Sequence, residues 1–552
     1  MKLMILMILN QDLFMRILMK RSKFNLSHSF KFSCNMARLV PVFVEDAVPC
    51  DSFKLKTDAV VRFAPMIAPL MHEVDVYTHY FFVPNRLIWT EWEDFITGGE
   101  KGEFVENFPV SPTITAPAGG FPVGSLADYF GMPTEVDGIK VSALPFRAYN
   151  LVLNEWFRHE LFQEPLTISK ASGDDTTTST VIYNRNWNKD YFTACSPTQQ
   201  KGPSVTLPLE GNAPVTGKAP VSGIGFRADE SVFKSDGIDL VDSATVNSSR
   251  VTYPTLWRLD ASSFPINSPR IRGTSGSTAD NFTADVFAEA DNSRSTLEAD
   301  LSSVVAATIN DLRRSIRLQQ FGEKNLLGGT RYTEFILSNY GVHSADARLG
   351  RPEFLGGGRS PVVFSEVLQT SSTDAVSPLA SYAGHGFSAH RSHQFAKSFR
   401  EHGWVIGIMS VMPRSGYTSQ GIDRKFSRTT RYDYLIPIFD GLGEQAVLNQ
   451  ELYADATPAD QEVFGYQPMY QEYRKRLHRV AGQMRTSLEF WHLARKFDTR
   501  PVLNGTFINC QPSDRIYADI ESTDDHLFVH CYHDFKAWRP ISKRGAPGIY
   551  KI

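Results

Sequence analysis

Between Phe53 and Phe63 the chain alternates, with Phe53, Leu55, Thr57, Ala59, Val61 and Phe63 interleaved with Lys54, Lys56, Asp58, Val60 and Arg62. A two-residue period puts the first set on one face of an extended backbone and the second on the other, the pattern of a half-buried β-strand. A second strand, Val74 to Val83, ends in Tyr80, Phe81, Phe82 and Val83 before Pro84, apolar on both faces as in a strand covered on two sides. Trp404 to Val411, Tyr432 to Phe439 and His526 to Tyr532 supply further strand candidates. The 38 glycines and 31 prolines are scattered rather than periodic, which suits turns and long connections, and so a mainly β chain.

Two helices interrupt this pattern. In the first, Phe146, Tyr149, Leu153, Trp156 and Phe157 share one face, with Pro145 in the first turn. The second, Leu301 to Gln320, aligns Leu301, Val305, Ile309, Leu312 and Ile316 beside Arg313, Arg314 and Arg317, a stripe expected to pack into the core. Ser172 to Thr180 ("SGDDTTTST") is expected to be a polar loop tip. From Gly202 to about Ala299 the sequence turns to Ser, Thr, Gly, Asp and Asn with few sustained apolar patterns. A stretch of that length is too long for an ordinary connection and is expected to be a surface excursion.

Charge excludes a chain that coats nucleic acid over its whole surface, since the formal net charge of the 552 residues is -3. No P-loop, Rossmann fingerprint, nucleophile elbow or His-Glu-x-x-His helix is present, and Gly356 to Gly358 precede Arg359 rather than a phosphate-cradling Lys-Ser/Thr. His385, His390, His393 and His402 match no metal-site spacing, and Asp174 and Asp175 have no calcium-loop spacing around them. No catalytic, cofactor-binding or metal-ligating residue is therefore assigned. The five cysteines, Cys34, Cys50, Cys195, Cys510 and Cys531, are odd in number and widely spaced, as expected of free thiols. The apolar run Leu3 to Leu9 is far short of the roughly 18 residues of a membrane span. It lacks a cleavage site, so residues 1–23 are expected to be an arm, or to precede a later start such as Met15 or Met19.

Basic residues gather with aromatic rings towards both termini. Arg16, Lys20, Arg21 and Lys23 stand with Phe14 and Phe24; Lys536, Arg539, Lys543, Arg544 and Lys551 stand with Phe535, Trp538 and Tyr550. Such mixtures neutralise phosphates and stack on unpaired bases, so these nine cations are the candidate DNA-contacting residues.

Several blocks, in order, are similar to the major capsid proteins of the Microviridae, small single-stranded-DNA bacteriophages, and to the gokushovirus branch in particular. They include "FNLSHSFKFSCNMARLVPV" (Phe24 to Val42), "PMIAPLMHEVDVYTHYFFVPNRLIW" (Pro65 to Trp89), "LPFRAYNLVLNEWFR" (Leu144 to Arg158) and "KDYFTACSPTQQKG" (Lys189 to Gly202). "GGTRYTEFILSNYGVHSADARLGRPEFLGG" (Gly328 to Gly357), "FREHGWVIGIMSVMPRSGYTSQGI" (Phe399 to Ile422) and "RPISKRGAPGI" (Arg539 to Ile549) continue the series. The resemblance implies a viral jelly roll of about eight antiparallel strands in two facing sheets, with long inter-strand insertions and a few helices. Its framework would run over 24–201 and 300–552, ending in a basic tail, with 202–299 as a surface insertion that forms a threefold spike.

The implied function is structural: a sixty-subunit T = 1 shell around circular single-stranded DNA, assembled in the host bacterial cytoplasm. Its partners would be itself, the genome, a host surface receptor and other phage structural or assembly proteins, without membrane insertion. The alternative is a secreted β-sandwich that binds or hydrolyses carbohydrate, for which Trp89, Trp187 and Trp404 would have to lie open near loops.

Overall fold

The computed structural model describes residues 21–99, 108–203, 205, 215–216, 221–228, 231–235, 240–242, 285–290, 298–299, 309–329, 331–368, 382–519 and 524–543. It divides into two compact units, Met1–Pro203 with Gln320–Ile552, and Ser204–Gln319. The labelled elements, in chain order, are β1 (Ser22–Asn25), β2 (His28–Cys34), β3 (Val40–Ala47), β4 (Ser52–Phe63), β5 (Val74–Pro84), α1 (Leu144–Val152), α2 (Ile309–Gly328) and α3 (Tyr332–Tyr340). They continue with β6 (Glu353–Pro361), β7 (Val363–Leu368), β8 (Tyr382–Arg391), β9 (Phe395–Ser398), β10 (Gly403–Pro413) and β11 (Leu527–Arg539).

In the larger unit the long strands form two antiparallel sheets. Sheet one runs β1-β11-β4-β8-β7, with β2 also on β11 and β9 also on β4; sheet two runs β6-β5-β10-β3. Alternation makes them face each other. Ala59, Val61 and Phe63 of β4 and Leu527, Val529 and Cys531 of β11 share one core with Val40, Val42, Val74, Val76, Met409 and Val411 of sheet two. A second core between the same sheets holds Phe43, Phe53, Leu55, Tyr80, Phe82, Val405 and Phe535. The expected strands at 53–63, 74–83, 404–411 and 526–532 are thus present, the last extended to Arg539.

Two glycines fit sheet two's edge closely. Gly356, at φ +142°, takes the register shift between β6 and β5, and a Cβ on Gly357 would fall 2.2 Å from the Thr78 carbonyl oxygen. These glycines serve strand packing.

The opposite face of sheet two is covered as well. Phe81, Val83, Ile406 and Ile408 pack under Phe146, Tyr149 and Val152 of α1, with Ile88 and Trp89. Pro145 opens α1, and a π-helical turn at Leu153–Phe157 ends it. Beneath this cap Arg147 and Asp175, both fully buried at the side chain, meet at 2.8 Å. Arg147 also donates to the carbonyls of Ile88 (3.1 Å) and Ala171 (2.9 Å), while Asp175 accepts from the Thr178 hydroxyl (2.6 Å) and the amides of Thr177 (3.1 Å) and Thr178 (3.0 Å). Burial pushes the Asp175 carboxyl up, but the Thr178 and Arg147 hydrogen bonds outweigh it and hold it below the usual range. The segment 172–180 is therefore not simply a polar tip. Asp175 and Thr178 are buried, because a buried guanidinium needs a carboxylate.

Further polar groups tie the sheets together. Tyr80 donates to the hydroxyls of Thr57 (2.5 Å) and Ser392 (3.1 Å), and His533 bonds the Thr57 hydroxyl at 2.8 Å. His390 lies between the hydroxyls of Thr78 and Ser360, each at 2.9 Å, a locally hydrogen-bonded imidazole rather than a metal ligand. Burial lowers the imidazoles of His390 and His533 to about 4, so they sit neutral in the core at neutral pH. The five cysteines are free, four of them buried.

Two expectations fail. Tyr432 to Phe439 is no strand but two 3₁₀ turns, Arg431–Asp433 and Pro437–Phe439, in which Pro437 has no amide to give a ladder and Ile438 is 83% exposed. Of the second helix's stripe, Leu301 and Val305 lie outside the described residues, while Ile309, Leu312 and Ile316 on α2 are exposed rather than packed. Within the smaller unit, Val221–Ala228, Ser231–Ser235, Leu240–Asp242 and Asp285–Ala290 form a four-stranded antiparallel sheet, and Val215–Thr216 pairs with Glu298–Ala299. Among the described residues no helix is long and apolar enough to cross a membrane.

Asp175→Ala should lower the subunit's unfolding free energy by about 3 to 5 kcal/mol, because it leaves a buried cation unpaired. Arg147→Met with Asp175→Leu should recover most of that in the same denaturant titration. A single-variant loss below about 1 kcal/mol would show the pair to be dispensable.

Candidate nucleic-acid interface

Strand pairing brings the two basic-aromatic termini together. β1 lies antiparallel on β11 with Lys23 opposite Trp538, Phe24 opposite Ala537 and Asn25 opposite Lys536. The Lys23 ammonium stands 5.3 Å from the Trp538 ring centroid, a cation over an aromatic face.

Both residues belong to the outer face of sheet one, the side away from the shared core. β11 buries every second residue from Leu527 to Ala537, which turns Phe528, His530, Tyr532, Asp534, Lys536 and Trp538 outward. Register aligns them with Arg62, Val60, Asp58, Lys56, Lys54 and Ser52 of β4, and with Lys31 of β2 opposite His530. Across β4, β8 adds Phe387 beside Arg62 and Arg391 beside Asp58. The cations of this face are Lys23, Lys31, Lys54, Lys56, Arg62, Arg391 and Lys536; the acids sharing these positions are Asp58 and Asp534. Asp58 pairs with Arg391 (2.8 Å) and Lys56 (3.2 Å), and Asp534 with Lys536 (3.0 Å). Slight burial raises the Asp58 carboxyl, the bonds to Arg391 and Lys56 outweigh it, and the net shift is downward; the Lys536 hydrogen bond lowers Asp534. Lys23, Lys31, Lys54 and Arg62 have no carboxylate partner among the described residues.

The nine cations singled out in the sequence divide. Lys23 and Lys536 lie on this face. Arg21 is exposed beside it and donates to the Ser52 hydroxyl at 3.3 Å, and Lys543 is exposed beyond β11. Arg539 is committed elsewhere: it donates to Glu45 and the Asp46 carbonyl, approaches Asp51 at 3.7 Å, and lies over the Phe53 ring. These contacts hold it against the segment from Glu45 to Phe53 at the end of the sandwich. Arg16, Lys20, Arg544 and Lys551 lie outside the described residues. The residues missed, Lys31, Lys54, Lys56, Arg62 and Arg391, sit on or beside strands whose polar half reads, one strand at a time, only as a solvated side. Their common face follows from register, which one strand's alternation does not reveal.

A surface of unpaired cations between Trp538, Tyr532, Phe528 and Phe387 can neutralise phosphates and stack bases without reading sequence. No group of metal-binding side chains occurs among the described residues. The aromatic rings a carbohydrate-binding cleft would need are not open: Trp89 is fully buried with its indole NH on the Ser172 hydroxyl (2.8 Å), Trp187 is buried, and Trp404 is half-buried against the α1 cap.

The family described as capsid protein (F protein) matches residues 16–549. The chain is 36% identical to capsid protein VP1 of Chlamydia phage 1, over 97% of this chain and 96% of that protein. It is also 36% identical to capsid protein VP1 of Bdellovibrio phage phiMH2K and 31% identical to that of Spiroplasma virus 4, each over 96% of both chains.

Lys23→Ala with Lys536→Ala should reduce the salt dependence of oligothymidylate binding to the subunit, the log–log slope falling by about 0.7 for each phosphate no longer neutralised, while Trp538→Ala weakens binding by about 1 to 3 kcal/mol. Unchanged affinity and salt slope in a titration of both variants would remove this face from consideration.

Proposed function

Because the chain belongs to the phage capsid protein (F protein) family, we propose that it self-assembles into a T = 1 icosahedral shell enclosing circular single-stranded DNA. It is a Microviridae capsid protein, a structural component of the virion and not an enzyme. The observation that carries the assembly reading is the large apolar surface on the stretch after β10. Phe426, Ile438 and Leu442 are 77%, 83% and 72% exposed, with Ile422, Tyr432, Tyr434 and Leu435 also exposed on the same stretch. Apolar surface of this kind is costly in water and is suited to burial against another copy.

A jelly roll is supported by the order of the strands. β2-β11-β4-β8 faces β3-β10-β5-β6, so the chain passes to the opposite sheet at each step of this set except from β5 to β6. That order supports two nested Greek keys, with β1, β7 and β9 as additions to sheet one. The outer face of sheet one is assigned to the interior, where its cations and rings would meet the genome. The insertion over 202–299 is assigned to the exterior, as a threefold spike for host attachment; the pairing of Val215 with Ala299 supports an excursion that returns to its own base. Other phage structural or assembly proteins would help in the host cytoplasm.

Expressed alone or with its assembly partners, the chain should yield shell-sized particles by sedimentation and negative-stain microscopy, and Ile438→Asp should leave folded, unassembled subunits. Subunits of Ile438→Asp that still close into shells would remove that patch from the contact. A chain shortened within 202–299 should assemble but adsorb poorly to host cells; loss of shells would make the segment an assembly element.

A further inference from the structure

The outer face of sheet two is covered by separate apolar clusters. One is built on α1 and its π-helical turn, another sets Met412 and Tyr77 of the sheet against Trp187 and Cys510. Two adjoining clefts of about 580 and 490 Å³ form a seam beside them, the larger reaching His79 and the smaller Tyr77, with Asn188 and Lys189 on the walls of both. Volumes of this size hold small organic ligands.

The lining of the seam is unusual for a structural gap. Arg185 donates to the Ser410 hydroxyl (3.1 Å) and lies 4.5 Å over the Tyr77 ring and 5.7 Å from Phe157, yet no carboxylate among the described residues pairs with it. Burial correspondingly lowers its affinity for its proton. A largely buried guanidinium without a counter-charge calls for an anion. Lys189 and Arg476 add exposed positive charge. In the larger cleft, Trp156, Phe157 and Phe354 present aromatic surface.

We propose that this seam binds a mononucleotide unit, its phosphate held by Arg185 and Lys189 and its base set against the aromatic wall. A carboxylate ligand would use the cations and leave the aromatic wall idle, whereas a base stacks on it. The site is on the opposite sheet from the face assigned to the genome and does not rest on that assignment.

The test is equilibrium dialysis of dAMP against full-length folded subunits. Saturable binding of one dAMP per chain is expected, with a dissociation constant on the order of 1 mM or lower. Deoxyadenosine, inorganic phosphate and N-acetylglutamate should each bind at least about tenfold more weakly, because each lacks either the charged group or the stacking ring. Arg185→Gln and Lys189→Glu should each weaken dAMP by a similar factor. Lys189 is exposed, so its variant tests the site even where Arg185→Gln does not fold. Lys23→Ala with Lys536→Ala, on the other sheet, should leave dAMP binding unchanged. Competition by a short oligodeoxyadenylate would identify the source as a strand, and failure to compete would identify free nucleotide. No saturable binding, equal binding of phosphate or N-acetylglutamate, or indifference to Lys189→Glu overturns the proposal.

Discussion

Sheet two is apolar on both faces, and a sheet of that kind is stable only between two other layers. Sheet one covers the first face; α1, its π-helical turn and the segment around Trp89 cover the second. The second layer is built mainly from chain between β5 and β6, which explains why so much sequence separates two strands that are immediate neighbours in the sheet. Its polar groups have to be satisfied internally once the layer closes, and Arg147 with Asp175 does this by linking the helix to the loop laid over it. Sheet one is treated differently. It buries one face and presents the other, so its strands keep the strict alternation that sheet two has lost.

This difference sets how far the sequence can be read. The strand at 53–63 and the two-faced ending at Tyr80 to Val83 are legible because each pattern depends only on whether a face meets water. The apolar run at 432–439 and the stripe on α2 mislead for one common reason. Apolar residues invite the expectation of burial within their own chain, whereas Ile438 and Ile309 are exposed in the isolated subunit. An assembling protein carries some of its hydrophobic surface outside the fold, and periodicity does not distinguish the two uses.

The candidate interface is half legible. Clusters near the termini point to Lys23, Lys536 and Trp538, and nothing in the sequence indicates that they share a strand pair. Lys54, Lys56 and Arg62 carry the signal in plain view as the polar half of a strand, but only the register with β11 turns that half into part of a larger cationic face. Arg539 shows the converse. Its position among basic residues suggests a ligand contact, and three acids on neighbouring segments, Glu45, Asp46 and Asp51, engage it instead. Asp175 is similarly hidden, since its partner lies 28 positions earlier.

β11 lies inside sheet one, between β4 on one side and β1 and β2 on the other, and the Ser27 hydroxyl reaches Asp534 across 507 positions of chain. A ribosome therefore releases β1, β2 and β4 long before the strand that joins them exists. Until β11 emerges, those strands have open edges and the core they share with sheet two lacks Leu527, Val529, Cys531 and Phe535. Closure of the sandwich is in this way tied to the emergence of β11, and chains that stop before it are denied the finished surface that subunits would use to recognise one another.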